Sequence, residues 1–327
     1  MKIPRVVLLI AAVEVLSVSA VAQTAFRDVD GHAQLANLIP ELDENGKPLV
    51  DSAGNMIDKR GPMFTKGPQL PGDLKLSLQD MQQINDAVGF LDCGDEEAGN
   101  YSLSSATLYG NGGQLVATWH SIVDLSPHAK GVTADRQIGT FKKPCWLRKQ
   151  GKSRLTEVDL GLDHGLVQFI PSPTGEIDGA LALIRLKKRM AAGLPLDESG
   201  TPLPVGTRFV QVSAAQLDKT RTYFIVDPNT EPTVQTCSRR IDRRKGSEIL
   251  TDCSMTEEAS GSVALVRIDG RLSIKAIFPR SGFASADGRP FNVRTEPASY
   301  SQGVELTAEV VKQMKNFEAA GLTATSR

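Results

Sequence analysis

The chain has 327 residues and a formal net charge of −1, so it carries no basic field for nucleic acid or an anionic membrane surface. Aromatic residues make up 5%, against 29 glycines and 18 prolines, which fits a turn-rich β protein. Residues 1–22 read as a secretory signal. Lys2 and Arg5 form the charged start, Val6 to Val13 the apolar centre (with Glu14 after it), and Ala20-Val21-Ala22 the small-residue cleavage site before Gln23. No other stretch is apolar enough over the length of a membrane span. The expectation is an exported chain of about 305 residues, periplasmic or secreted, with enough apolar material for one large or two small cores.

Residues 23–85 differ from the rest. They hold turn-rich runs (Asp43-Glu44-Asn45-Gly46, Asp51-Ser52-Ala53-Gly54) and Pro62, Pro68 and Pro71, and read as an N-terminal extension, a pro-segment or an irregular arm packed on the domain. Asp80 to Val88 fits a short helix or the approach to the domain. Residues 86–321 form the main domain. Tyr101–Tyr109, Gln114–Thr118, Leu166–Ile170, Ala180–Leu186, Arg208–Ser213 and Tyr223–Val226 read as strands. Val263–Ile268 and Leu272–Phe278 flank Asp269-Gly270, a strong hairpin signal. Many short strands without alternating helices exclude a βαβ sheet and predict an all-β sandwich or barrel. The Lys/Arg, Gly and Pro-rich stretch Lys187 to Pro204 is the candidate link between two halves, about 86–190 and 200–300. Leu306, Val310, Met314 and Phe317 recur at helical spacing over 304–320, with Gly321 as the expected stop, and predict a packing helix. Arg239, Arg240, Arg243, Arg244 and Lys245 read as a solvated hairpin tip or, more sharply, an anion-binding patch.

Four cysteines in an exported chain favour two disulfides. Of the three possible pairings, Cys93–Cys145 with Cys237–Cys253 keeps each bridge within one half. Metal ligation is disfavoured, because there is no Cys-x-x-Cys pair and only four histidines.

Three segments carry candidate chemistry. Leu115-Val116-Ala117-Thr118-Trp119-His120 ends an apolar strand in a histidine. Asp178-Gly179-Ala180-Leu181 puts a carboxylate at the head of another. Ala259-Ser260-Gly261-Ser262 presents a serine on a tight turn before an apolar strand. The chain order His, Asp, Ser is one of the known solutions for a nucleophilic triad. In it Ser260 attacks, His120 takes and returns its proton, and Asp178 holds the imidazole's tautomer. Asp163 and Asp159 also precede an apolar run and are rivals for the acid's place.

Together these segments resemble the chymotrypsin/trypsin-like serine peptidases, and among them the bacterial glutamyl-endopeptidase-like branch. Leu115–His120 is similar to the family's Thr-Ala-Ala/Gly-His strand, with Ala117-Thr118-Trp119 before the histidine. Asp178-Gly179-Ala180-Leu181 resembles its Asp-x-Ala-Leu/Val motif. Cys253-Ser254-Met255-Thr256-Glu257-Glu258-Ala259-Ser260-Gly261-Ser262 resembles Cys-Asp-Thr-x-x-Gly-x-Ser-Gly-Ser/Ala, with Cys237 where the disulfide partner is expected. The resemblance covers roughly residues 86–320. It implies two six-stranded antiparallel β-barrels with the triad between them, a C-terminal helix, a protein or peptide substrate and no cofactor.

Departures from the pattern are equally informative. Glu258 stands where the family has the glycine of the oxyanion hole, whose donors would be the backbone N–H groups of Glu258 and Ser260. Glutamate adopts a glycine-type backbone there only with strain of about 1–3 kcal/mol. Ala259 cannot receive a freed N-terminal amine, so activation through that salt bridge is not expected. Ser254, near the base of the primary pocket, offers no charge for Lys or Arg. Phe278 stands about where glutamate-specific members place His or Ser, so a small apolar or uncharged side chain is the expected preference. Two readings follow: an exported serine endopeptidase, or a weak or inactive trypsin-like fold that binds protein or peptide. An α/β-hydrolase is excluded by the missing Gly-x-Ser-x-Gly elbow and by the His-first order.

Overall fold

The computed structural model describes residues 70, 72–95, 97, 101–123, 141–150, 155–162, 166–173, 179–190, 193–214, 216–217, 224–225, 232–241, 246–251, 253, 259–279 and 301–324. After a 3-10 turn at Gly72–Leu74, helix α1 spans Leu78–Ala87. Its start is set by a capping box: Ser77 Oγ accepts from Asp80 N–H at 3.1 Å, and Asp80 Oδ2 accepts from Ser77 N–H at 2.7 Å. Its end is met by Lys149 Nζ, which donates to the Asp86 carbonyl, a cation where the helix leaves its acceptors unpaired. Leu70, Leu76 and Ile84, which precede the expected domain start at 86, are buried in the main core together with Ala87, so α1 and the turn before it belong to the packed domain.

The first half is an antiparallel sheet of seven strands: β1 (Val88–Cys93), β2 (Ser102–Tyr109), β3 (Gln114–Thr118), β4 (Cys145–Gln150), β5 (Leu155–Asp159), β6 (Val167–Ile170) and β7 (Leu181–Arg185). Their order is β5-β4-β1-β2-β3-β7-β6, and the short helix α2 (Trp119–Ile122) follows β3 directly. The second half is a closed barrel of six: β8 (Arg208–Ser213), β11 (Thr233–Ile241), β12 (Glu248–Thr251), β13 (Ser262–Ile268), β14 (Arg271–Phe278) and β15 (Ser301–Glu305), ordered β11-β12-β15-β14-β13-β8. A two-stranded ribbon, β9 (Gln216–Leu217) with β10 (Phe224–Ile225), lies between β8 and β11 in sequence. The all-β class and the second barrel are as expected. Where six strands were expected in the first half there are seven, with β5 and β6 at the ends of the sheet among the described residues.

The β13–β14 hairpin turns at Asp269 (φ 49°) and Gly270 (φ 79°), the paired positive angles that a type I′ turn requires and that Asp-Gly supplies. Both expected disulfides are present. Cys93 faces Cys145 across the β1–β4 register, and Cys237 of β11 meets Cys253 just beyond β12. The stretch between β7 and β8 runs across both halves: Leu194 bridges to Tyr109 of β2, and Leu196 bridges to Ile274 of β14. It is fastened by two buried ion pairs. Lys275 Nζ lies 2.5 Å from Asp197 Oδ2, and Arg239 Nη1 lies 3.1 Å from Glu305 Oε2 while also donating to the Leu203 carbonyl at 2.6 Å. Arg239 is therefore inside the barrel and not part of a solvated basic tip. Arg243, Arg244 and Lys245 lie outside the described residues.

Helix α3 (Ala308–Ala324) packs on β7 through buried Val310, Met314 and Phe317. Arg185 Nη2 donates to the Phe317 carbonyl at 2.9 Å, with its guanidinium 4.6 Å from that ring's centroid. The helix continues through Gly321, where a stop was expected. One glycine costs a helix about 1 kcal/mol against alanine, too little by itself to end it. Among the described residues no helix is long and apolar enough to cross a membrane.

Candidate active site

His120 sits in the second position of α2, two residues past the end of β3, so the strand's apolar register delivers it to the end of the first sheet. Trp119 anchors this turn edge-on against Phe141 (6.3 Å) and Phe169 (4.9 Å). The turn is also tied to its neighbours: Ser102 Oγ donates to the Ser121 carbonyl at 2.6 Å, and Lys142 Nζ donates to the His120 carbonyl at 3.1 Å. The ring's Nε2 stands 3.5 Å from Thr118 Oγ1, which shares a short hydrogen bond with Ser121 Oγ.

Ser260 lies on the turn just before β13 and is 2% exposed. One barrel strand and one strand of the first sheet hold it in place. Gly261 N–H donates to the Phe278 carbonyl of β14 at 2.6 Å, and Ser105 N–H of β2 donates to the Ser260 carbonyl at 2.8 Å. Gly261 has φ 88°, and a Cβ there would stand 1.9 Å from the Ser105 carbonyl oxygen. Both the backbone angle and the close approach demand glycine.

The β2–β3 register relates the serine to the histidine. Thr107 pairs with Val116 and Leu108 with Leu115, and the Ser102–Ser121 hydrogen bond keeps the same offset beyond the ladder's end. On that offset Ser105 stands level with Thr118, two residues before His120. The Ser260 turn is thus docked on the strand beside the one that delivers the histidine. The two side chains are not in hydrogen-bond contact: among the described residues Ser260 Oγ makes no hydrogen bond. Catalytic hydrogen bonds are often long before substrate binds.

Asp178 lies outside the described residues, as do Asp163, Ser254 and Glu258. The chain is described again from Gly179, and the Ala180 carbonyl accepts from Trp119 N–H at 3.0 Å, continuing the β3–β7 pairing of Thr118 with Leu181. Phe278 is fully buried, its ring 6.4 Å from that of Phe209 and stacked at 21°, so the contact it gives the Ser260 turn is its backbone carbonyl.

Beneath the serine the barrel interior is polar. Gln211 Nε2 donates to Ser262 Oγ at 2.7 Å and Gln235 Nε2 to Gln211 Oε1. Ser105 was not singled out from sequence, although a Ser104-Ser105 pair inside an apolar strand signals buried hydroxyls that need partners. Ser105 Oγ is 2.9 Å from Ser213 Oγ and accepts from Ala214 N–H at 3.0 Å.

No family model and no curated relative matches the sequence. Among solved structures, the chain is similar to a thermostable serine protease, AL20, from an extremophilic microorganism: TM-score 0.45, 12% identity, covering 73% of this chain and 98% of that one. The protease Anisep from Arthrobacter nicotinovorans aligns with TM-score 0.44 and 9% identity over 72% of this chain and 96% of that one. The MamO protease domain from Magnetospirillum magneticum aligns with TM-score 0.41 and 12% identity over 71% and 96%.

Proposed function

We propose that the protein is an exported serine endopeptidase with a trypsin-like arrangement, acting on proteins or peptides without a cofactor. The observation that carries this reading is the docking of the Ser260 turn on Ser105, level with the strand end that delivers His120. Two disulfides support an oxidising compartment.

In this mechanism the Ser260 hydroxyl attacks the peptide carbonyl while His120 accepts its proton, giving a tetrahedral oxyanion. Asp178, two residues before Ala180 in the sequence, is assigned to hold the imidazole and stabilise its protonated form. The backbone N–H groups of Ser260 and Glu258 receive the oxyanion, each worth about 10²–10³ in rate. Collapse expels the amine, protonated by His120, and leaves an acyl group on Ser260. Water, activated by the same histidine, releases the acid. Phe278, expected from sequence beside the primary pocket, is instead fully buried in the barrel core and offers that region only its backbone carbonyl. Ser254 is the remaining sequence candidate for the pocket, which in this reading takes a small uncharged side chain.

One observation favours the rival reading of a non-catalytic, peptide-binding fold: Ser260 is 2% exposed. Mass spectrometry of denatured casein incubated with the mature protein separates the two. Cleavage by the wild type that disappears in both Ser260→Ala and His120→Ala is the expected result. Intact casein with all three folded proteins sinks the peptidase reading.

A further inference from the structure

Ser105 does more than fill a position in β2. Its N–H donates to the Ser260 carbonyl at 2.8 Å, and its own carbonyl lies so near Gly261 that no Cβ fits between them. Its hydroxyl engages a second element of the barrel, the end of β8, through Ser213 Oγ at 2.9 Å and Ala214 N–H at 3.0 Å. It is buried, so these contacts are made away from water, where a hydrogen-bonded geometry is held most firmly. Ser105 also stands level with Thr118, whose hydroxyl is the described neighbour of His120 Nε2. One residue of the first sheet therefore touches both the serine's turn and the end of the adjacent barrel strand, and on the β2–β3 offset it lies opposite Thr118, two residues before the histidine.

Resting on the peptidase reading above, we propose that Ser105 is a positioning residue that sets the separation of Ser260 from His120 across the two halves. The backbone contact holds the serine's carbonyl, and the hydroxyl stops the barrel from sliding along β2. Without that hydroxyl, β2 keeps its N–H bond to Ser260 but loses both hydrogen bonds that fix the end of β8 against it. The serine and histidine then sample a wider range of separations. A displacement of about 1 Å at a reacting pair costs up to about 10² in rate. Such a loss falls on the chemical step and not on substrate binding, because Ser105 is not placed to touch substrate.

The test compares wild type, Ser105→Ala, Ser105→Thr and Ser213→Ala as full mature chains, with a fluorophosphonate probe as the reporter of Ser260. The expected result is that Ser105→Ala, shown folded by circular dichroism at the assay temperature, labels about 10–100-fold more slowly. With a peptide substrate its kcat falls while KM stays near wild type. Ser105→Thr, which keeps the hydroxyl, recovers most of the rate. Ser213→Ala, which leaves the Ala214 bond in place, falls between. If Ser105→Ala does not fold, Ser213→Ala carries the test, and a wild-type rate there overturns the proposal. A folded Ser105→Ala with a lowered melting temperature and an unchanged labelling rate also overturns it, leaving only a structural role. No labelling of the wild type is a different failure: it removes the peptidase reading and the positioning role with it.

Discussion

The Arg267 guanidinium of β13 grips both carboxylate oxygens of Asp80, Nη2 at 2.6 Å from Oδ2 and Nη1 at 3.3 Å from Oδ1. Asp80 is also the N3 member of the capping box that begins α1 at Ser77, so one carboxylate both supports that helix start and ties it to the second barrel. Burial alone would raise the Asp80 pKa. The Arg267 hydrogen bond, the Ser77 contacts and the Arg267 charge outweigh it and hold the group below the ordinary 3.8.

A lowered carboxylate pKa gives stability that is full above the unfolded value of about 3.8 and is lost as pH falls through the folded value. Asp80→Asn is therefore expected to be less stable than wild type at pH 7, with the difference shrinking below pH ~4. Truncation by Asp80→Ala is expected to cost about 1.5–3 kcal/mol, the range for hydrogen bonds to a charged group. Urea unfolding at pH 7 and pH 3 checks both.

Lys275 and Asp197 make the opposite kind of pair, almost wholly buried on both sides. Asp197→Ala leaves a buried ammonium whose remaining described acceptor is the Thr201 carbonyl, and it is expected to cost about 3–5 kcal/mol. The double variant Asp197→Leu/Lys275→Met is expected to recover most of that loss, since it removes the stranded charge. Denaturant midpoints of the two variants decide. A double variant no better than the single one would show that the pair is needed as a pair.

Gly261→Ala puts a Cβ 1.9 Å from the Ser105 carbonyl oxygen at φ 88°. Backbone strain of about 1–3 kcal/mol plus the clash is expected to push the Ser260 turn off β2. Loss of probe labelling at a temperature where the protein is still folded is the expected signature.

Reduction of Cys237–Cys253 frees a loop of 16 residues that ends seven positions before Ser260. The chain-entropy estimate for a loop of that size is about 3 kcal/mol. Cys237→Ser/Cys253→Ser is expected to lose about that much stability, measured by thermal unfolding under oxidising conditions.

How much of this was legible in the sequence depended on sequence distance. The β13–β14 hairpin could be read because Asp269 and Gly270 meet a local requirement on φ. Gln114–Thr118 and Arg208–Ser213 matched the observed strands because their apolar runs are continuous. β11 was missed because Arg239 reads as a surface charge. Its burial follows from Glu305, on a strand far along the chain. β4 was missed for a similar reason: Arg148 and Lys149 look solvent-facing, yet one pairs with Asp92 and the other caps α1. His120 and Ser260 are candidates that local pattern and order single out. Ser105, which links their strands, is not among them, because its partners Ser213 and Ser260 are brought to it only by the packing of the two halves.

The central claim is that Ser260 is a nucleophile activated by His120. Its most direct test is peptide mapping of the mature protein after treatment with diisopropyl fluorophosphate, beside His120→Ala treated in the same way. One phosphoryl adduct, on the peptide containing Ser260, that is absent in a folded His120→Ala protein is the expected result. No adduct on folded wild type, or an adduct on Ser260 that persists in His120→Ala, would contradict it.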